Sequence, residues 1–162
     1  MAVTSAGITS ADRSHLERTV ALAWEARTRG DHPFGSLLVA ADGGVLEAGN
    51  SVVTNVDPTG HAETNLVRLA GTLDLATRIT STLYTSTEPC AMCAGAIYWS
   101  GIGRVVFALS EVALAEMVEE EEGVAPLHLP CREVFARGGR PIVVDGPVDL
   151  ASATEVHQGF WI

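Results

Sequence analysis

Two short segments constrain this chain more than anything else in it. His61-Ala62-Glu63 and, about thirty residues later, Glu88-Pro89-Cys90-Ala91-Met92-Cys93 together offer one imidazole, two thiols and two carboxylates. If the segments act together, the fold must bring them to one point. Zinc accepts nitrogen and sulfur in a tetrahedron, and a catalytic zinc site keeps one corner open for a water whose pKa it lowers toward neutrality. His61, Cys90 and Cys93 are therefore the expected ligands of one Zn2+ per chain. Glu63, two residues beyond the histidine, is placed to take a proton from such a water without binding the metal.

Other readings of the same residues stay open. Cys-x-x-Cys alone can be a redox dithiol or half of a structural zinc site. A redox motif usually opens the helix after the first strand of its fold, whereas this pair lies past the midpoint with His-x-Glu upstream. A closed structural site needs a fourth protein ligand, for which Cys131 or His128 is available. Such a site, used by a non-enzymatic interaction module, has no need of an idle carboxylate at Glu63, and the catalytic reading is favoured on that ground.

Length and composition bound the rest. The 162 residues, 47% hydrophobic and 19% charged, suit one folded domain over 1–162. With two of the three cysteines in the metal motif, Cys131 is left over, which points to a reducing, cytoplasmic setting. No basic stretch followed by an apolar core opens the sequence, so no signal peptide is expected, and no apolar run is long enough for a membrane span. Net charge is −10, with ten arginines and no lysine against twenty acids. Gripping a nucleic-acid backbone needs a basic patch, and no arginine cluster supplies one, so small soluble ligands are favoured over nucleic acid. The acidic run 119–122 reads as a solvated segment.

In chain order, residues 1–9 are small and polar and read as frayed. From Ser10, taken as the N-cap, Leu16, Val20, Ala23, Trp24 and Arg27 follow helical spacing up to Gly30. Segments 34–40 and 45–50 flank Ala41-Asp42-Gly43-Gly44 as a hairpin. A loop with Asp57-Pro58-Thr59-Gly60 leads into a helix over about 61–70, so His61 and Glu63 fall on its first turn. A strand at 81–85 is followed by a turn through Pro89 into a third helix, whose positive end favours thiolate at Cys90 and Cys93. A strand at 104–109, a helix from 110 to about 120, a strand at 141–144 and a helix at 150–158 complete the expectation. Strands alternating with helices after a hairpin predict an α/β protein: three layers, α/β/α, around a mixed sheet of about five strands.

With these residues in view, the chain resembles the cytidine deaminase superfamily. It is most similar to the branch holding bacterial guanine deaminases, yeast-type cytosine deaminase and tRNA adenosine deaminases. The likeness runs from the first helix through Leu109 and is strongest in Asp57–Glu63 and Thr87–Ile97. It implies zinc-dependent hydrolytic removal of an exocyclic amine, with Asn50, eleven residues before His61, and the backbone N–H of Ala62 binding the base. Asn50 reads equally as a strand-end residue satisfying a turn. Phe34, in His32-Pro33-Phe34-Gly35, matches the family's pocket wall or is plain core. The resemblance also implies a homodimer or larger assembly in which the C-terminal segment, about 148–162, closes the pocket. There Phe160 and Trp161 either stack over the base or dock on their own core or a partner subunit. Glu88 reads as a turn-fixing group behind the ligands, and Glu155 is the only carboxylate near the position of a second glutamate that some guanine deaminases use. The implied substrate is a small free nucleobase of guanine or cytosine type, or an azacytosine or triazine analogue. A nucleoside or tRNA adenosine is the alternative within the class.

Overall fold

In the computed structural model, residues 7–118 and 125–161 are described; the acidic run 119–122 lies outside them. Helix α1 (Ser10–Arg29) is capped by Thr9, whose hydroxyl accepts the Asp12 N–H while the Asp12 carboxylate accepts the Thr9 N–H. The expected cap, Ser10, is one residue late, because only Thr9 has an acidic residue three positions on. Ile8 packs against the core, so the residues just before the helix are not a frayed arm. Gly30 ends α1 at φ 93°, the left-handed conformation that glycine adopts without strain.

Strands β1 (Gly35–Val39) and β2 (Val45–Gly49) form the antiparallel hairpin. The helix α2 (Ala62–Ala70) and the short α3 (Leu75–Thr80) lead to β3 (Thr82–Thr87), which pairs antiparallel with β1. The helix α4 (Ala91–Ser100) then carries the chain to β4 (Arg104–Leu109), parallel to β3. After α5 (Glu111–Ala115) and α6 (Cys131–Ala136), β5 (Val143–Asp145) joins parallel to β4, and α7 (Ala151–Glu155) follows. The sheet order is β2-β1-β3-β4-β5, the mixed five-stranded sheet that the sequence implies.

Period-two alternation splits the sheet residues between two cores. Leu37, Tyr84, Val106 and Ala108 pack with α1 and α7 on one face. Leu38, Leu83, Val105 and Phe107 pack with α2, α4 and α6 on the other. Strands buried on both faces read as nearly unbroken apolar runs, which is how 104–109 announces itself. At Gly35 an added Cβ would lie 2.2 Å from the Thr19 carbonyl oxygen, so α1 rests directly on the first residue of β1.

Several boundaries differ from expectation. Neither α3 nor α6 was signalled: each is six residues long, and α3 buries none of its side chains, so no apolar periodicity marks it. Helix α5 ends at Ala115 rather than near 120, and α7 ends at Glu155 and gives way to turns rather than running to 158. β5 begins two residues after Pro141, which has no N–H to give; Val143 supplies the N–H to Gly103 instead.

A buried charge cluster ties α1 to the sheet. The Arg104 guanidinium donates to Asp12 at 2.8 Å and to Asp145 at 2.8 Å, and the Tyr84 hydroxyl donates to Asp12 at 2.7 Å. Burial alone would raise the Asp12 carboxyl, but the hydrogen bonds from Arg104, Thr9 and Tyr84 overcome it and hold it well below the usual carboxylate range. A carboxylate depressed in the folded state stabilises above its unfolded pKa and loses that contribution as pH falls below it. Replacing Asp12 with alanine leaves Arg104 with Asp145 alone and removes the acceptor of the Tyr84 hydroxyl, and should cost about 2–3 kcal/mol, or roughly 8 °C in Tm. In thermal melts the variant should also show a shallower loss of stability between about pH 5 and pH 2 than the parent.

Candidate active site

His61 and Cys90 occupy the N-cap positions of α2 and α4, yet neither side chain caps its own helix. Thr9, Asp74 and Ser110 do so at the starts of α1, α3 and α5. Histidine and cysteine are poor caps, and here the two side chains are directed at each other. His61 Nδ1 lies 3.6 Å from Cys90 Sγ and 3.5 Å from Cys93 Sγ. Zinc bonds of about 2.0 Å to nitrogen and 2.3 Å to sulfur at tetrahedral angles put N and S about 3.6 Å apart. The three ligand atoms thus already span three corners of a zinc tetrahedron. They are the one metal-suited group of this kind found among the described residues.

The proposed fourth protein ligands lie elsewhere. Cys131 is buried at the start of α6, with burial raising its thiol, and His128 is exposed. Neither joins the ligand group. All three cysteines are free thiols, so Cys90 and Cys93 are not a disulfide.

Glu63 reaches the cluster from the first turn of α2. It is 5% exposed; Oε1 accepts the Thr85 hydroxyl at 2.9 Å, and Oε2 faces the Cys93 thiol at 3.5 Å. Burial, then the Cys90 thiolate, raise its carboxyl above the ordinary range. The cysteines divide one proton between them. Hydrogen bonds from Cys93 and His61 hold Cys90 down to about 4, whereas donation to Cys90, burial and Glu63 push Cys93 up. Hydrogen bonding to Cys90 raises His61.

The other expected site residues divide. Asn50 is buried at the end of β2, and Ser51 N–H to Gly60 C=O (2.8 Å) closes the loop that brings it beside His61. Its Oδ1 accepts the Val52 N–H at 3.0 Å, so the turn-satisfying reading holds for that end of the amide. Ala62 is fully buried at the first position of α2, where a backbone N–H has no partner within the helix. Phe34, Phe160 and Trp161 meet in one aromatic group within the same chain. Trp161 lies 6.1 Å from Phe34, 4.7 Å from Phe160 and 5.4 Å from His32, ring centre to ring centre. Glu88 accepts the N–H groups of Glu111 (3.1 Å) and Cys131 (3.3 Å), tying the starts of α5 and α6 to the Cys90 turn. Glu155 is exposed on α7.

Three positioning residues carried no sequence signal. Thr85 holds Glu63. Asp31 accepts the N–H groups of Val53 and Thr54, and Asn65 donates to Gly49, Ser51 and Gly60. Together Asp31 and Asn65 fix the loop between Asn50 and His61. Their only mark in the sequence is that Asn65 stands one helical turn after His61.

Comparison with known proteins agrees with this geometry. Residues 9–109 match the family described as the cytidine and deoxycytidylate deaminase zinc-binding region. The Schizosaccharomyces pombe protein named "Probable cytosine deaminase" is 37% identical over 159 residues, covering 98% of each chain. Guanine deaminase of Bacillus subtilis is 42% identical over 106 residues, 62% of this chain and 66% of that one. The solved guanine deaminase of Nitrosomonas europaea superposes with a TM-score of 0.72 at 25% identity, over 94% of this chain and 85% of that one. The chain belongs to the cytidine and deoxycytidylate deaminase family. It is a zinc-binding deaminase, a hydrolase acting on a carbon–nitrogen bond.

Zinc requires both sulfurs as thiolates, so the proton that the metal-free cluster keeps on Cys93 must leave on binding. Titration calorimetry in buffers of different ionisation enthalpy should find about one proton or more released per zinc at neutral pH. Affinity should fall by about tenfold per unit of pH as the solution is acidified from pH 7 toward pH 5.

Proposed function

We propose that this chain hydrolyses the exocyclic amine of a small free nucleobase, of guanine or cytosine type or an azacytosine or triazine analogue, and releases ammonia. The observation that carries the reading is Glu63: a buried carboxylate beside the ligand set, held by Thr85 and outside the metal's three protein ligands. His61, Cys90 and Cys93 would hold the zinc, which supplies a Lewis-acidic position where a water becomes a nucleophile near neutral pH. Glu63 takes one proton of that water as its oxygen bonds to the ring carbon bearing the amine. Glu63 then delivers the proton to the adjacent ring nitrogen. A second proton passes through Glu63 to the departing amine, the carbon–nitrogen bond breaks, and a carbonyl remains. Burial, which raises the Glu63 carboxyl above the ordinary carboxylate range, makes it a stronger base for that proton.

The Asn50 amide N–H and the Ala62 backbone N–H fix the base by its acceptor atoms, and Phe34, Phe160 and Trp161 supply the flat apolar wall. The net charge of −10 supports a small ligand over a polyanion. A reducing cytoplasm would keep Cys90 and Cys93 available to the metal, and no helix among the described residues is long and apolar enough to cross a membrane. An ammonia-release screen over free bases, nucleosides and triazines tests the assignment: turnover of nucleosides but of no free base would refute it. Glu63→Ala should keep zinc and fold yet lose activity by about a thousandfold or more. Near-parental turnover in that variant would exclude the mechanism.

We further propose a homodimer joined through the outer face of α4. That helix has no charged residue and its Trp99 is 85% exposed; exposed Leu75 and Ile79 border Gly101 at its end. Val67, Arg78 and Trp99 also line a shallow cavity of about 440 Å³ there, away from the ligand atoms. A largely apolar surface of this kind, with Arg78 at one side of it, suits a second copy of the chain. In light scattering the parent should run at twice the chain mass, and Trp99→Glu at the mass of one chain.

A further inference from the structure

His157 takes no part in the chemistry above, yet it is the one histidine buried among the described residues. It is 2% exposed, follows α7, and stacks nearly parallel to Trp161, with 14° between the rings. The indole Nε1–H of Trp161 donates to His157 Nδ1 at 3.2 Å. An indole nitrogen only donates, so Nδ1 is the acceptor and the proton of the neutral ring sits on Nε2. Burial, with Arg27 nearby, holds the imidazole down to about 4, so the ring is neutral across the physiological range. The Nε2–H that results is completely buried and has no partner. A buried donor left unsatisfied in this way opposes folding unless something later pairs with it.

The surroundings of this orphan matter. One other buried side-chain polar atom among the described residues lacks a partner, the Thr87 hydroxyl. The His157 ring centre is 5.2 Å from that of Phe34. Thr87 stands two positions beyond Thr85 on the same face of β3, the face on which Thr85 holds Glu63. The Phe34 carbonyl in turn accepts the Asn50 N–H at 3.0 Å. Unsatisfied buried polar groups are rare in a folded core, and His157 carries one beside Phe34, whose backbone is bonded to Asn50.

Resting on the deaminase reading above, we infer that His157 is a specificity-determining residue: its Nε2–H is reserved for an acceptor on the bound heterocycle, a carbonyl oxygen or an unprotonated ring nitrogen. Trp161 fixes the tautomer, so the position offers a donor and never an acceptor. An analogue with C–H at the matching atom leaves the donor unpaired and is rejected.

Zinc-loaded enzyme carrying His157→Phe, His157→Asn or His157→Gln tests this. Glutamine can place an amide N–H near the Nε2 position, and asparagine only near Nδ1. For the base turned over by the parent, KM should rise by about tenfold or more in the Phe and Asn variants with kcat little changed, and Gln should recover most of the loss. If the Phe variant fails to fold, Asn against Gln carries the comparison. In 15N spectra of zinc-loaded Glu63→Ala, the His157 Nε2 resonance should report the Nε2–H tautomer and shift when the base is added. An unchanged KM in the Phe and Asn variants, with only Tm lowered, would make His157 a packing residue and overturn the inference, as would an Nε2 resonance that the base does not move. A parent that releases ammonia from no base would instead strike the deaminase reading itself.

Discussion

A thiolate, a thiol and an imidazole within hydrogen-bonding distance attract one another, but that attraction does not decide where in the fold they meet. The starts of two helices decide it. With His61 and Cys90 at the N-cap positions, each side chain lies beside a positive helix end that favours electron-rich groups. Those ends are placed by the packing of α2 and α4 on the same face of the sheet, through Leu66, Ala70, Ala94 and Ile97, all fully buried. The metal geometry is therefore a by-product of helix-on-sheet packing, and the cluster keeps zinc spacing because the core leaves it no other.

From that point the supporting residues follow a pattern. Each pins backbone rather than touching the ligands. Glu88 gathers the N–H groups at the starts of the short helices α5 and α6, and Asp31 and Asn65 do the same for the loop from Asn50 to His61. A carboxylate or amide that satisfies several backbone donors at once fixes a loop at little entropic cost, because the side chain is itself buried. The one exception is Thr85, which holds Glu63 directly and so orients the proton carrier.

How much of this the sequence showed depends on the distance over which each signal acts. The ligands, Glu63 and their placement at helix starts were legible because residue type and short spacing carry them. The strand at 104–109 was legible from its apolar run, and the hairpin from its glycine-rich turn. Thr9 was within reach, since its capping partner stands three residues on, whereas α3 and α6 were not, being too short to build a period. Thr85 is one threonine among several in a strand, and nothing local tells which one will face a glutamate twenty-two residues upstream. The docking of Trp161 onto the segment around Phe34 joins residues over a hundred positions apart, and no pattern in either stretch announces the other.

Helix α1 connects these pieces. At its C-terminal end Arg29 donates to the Asn50 carbonyl at 2.9 Å, and Asp31, just past it, holds Val53 and Thr54. One turn earlier, Arg27 donates to the carbonyls of Val156 and Gln158 and lies over the Trp24 and Phe160 rings. Val156 and Gln158 lie just past the C-terminal end of the five-residue α7, where carbonyls have no partner within the helix, and the guanidinium satisfies them. Both walls of the proposed pocket, the Asn50 loop and the aromatic tail, thus hang from the last turn of one helix whose other end is locked to the sheet by Asp12 and Arg104. The two walls are held unequally: the loop by three bonds to the buried Asp31 carboxylate, the tail by two from Arg27, of which the one to Gln158 is exposed to water.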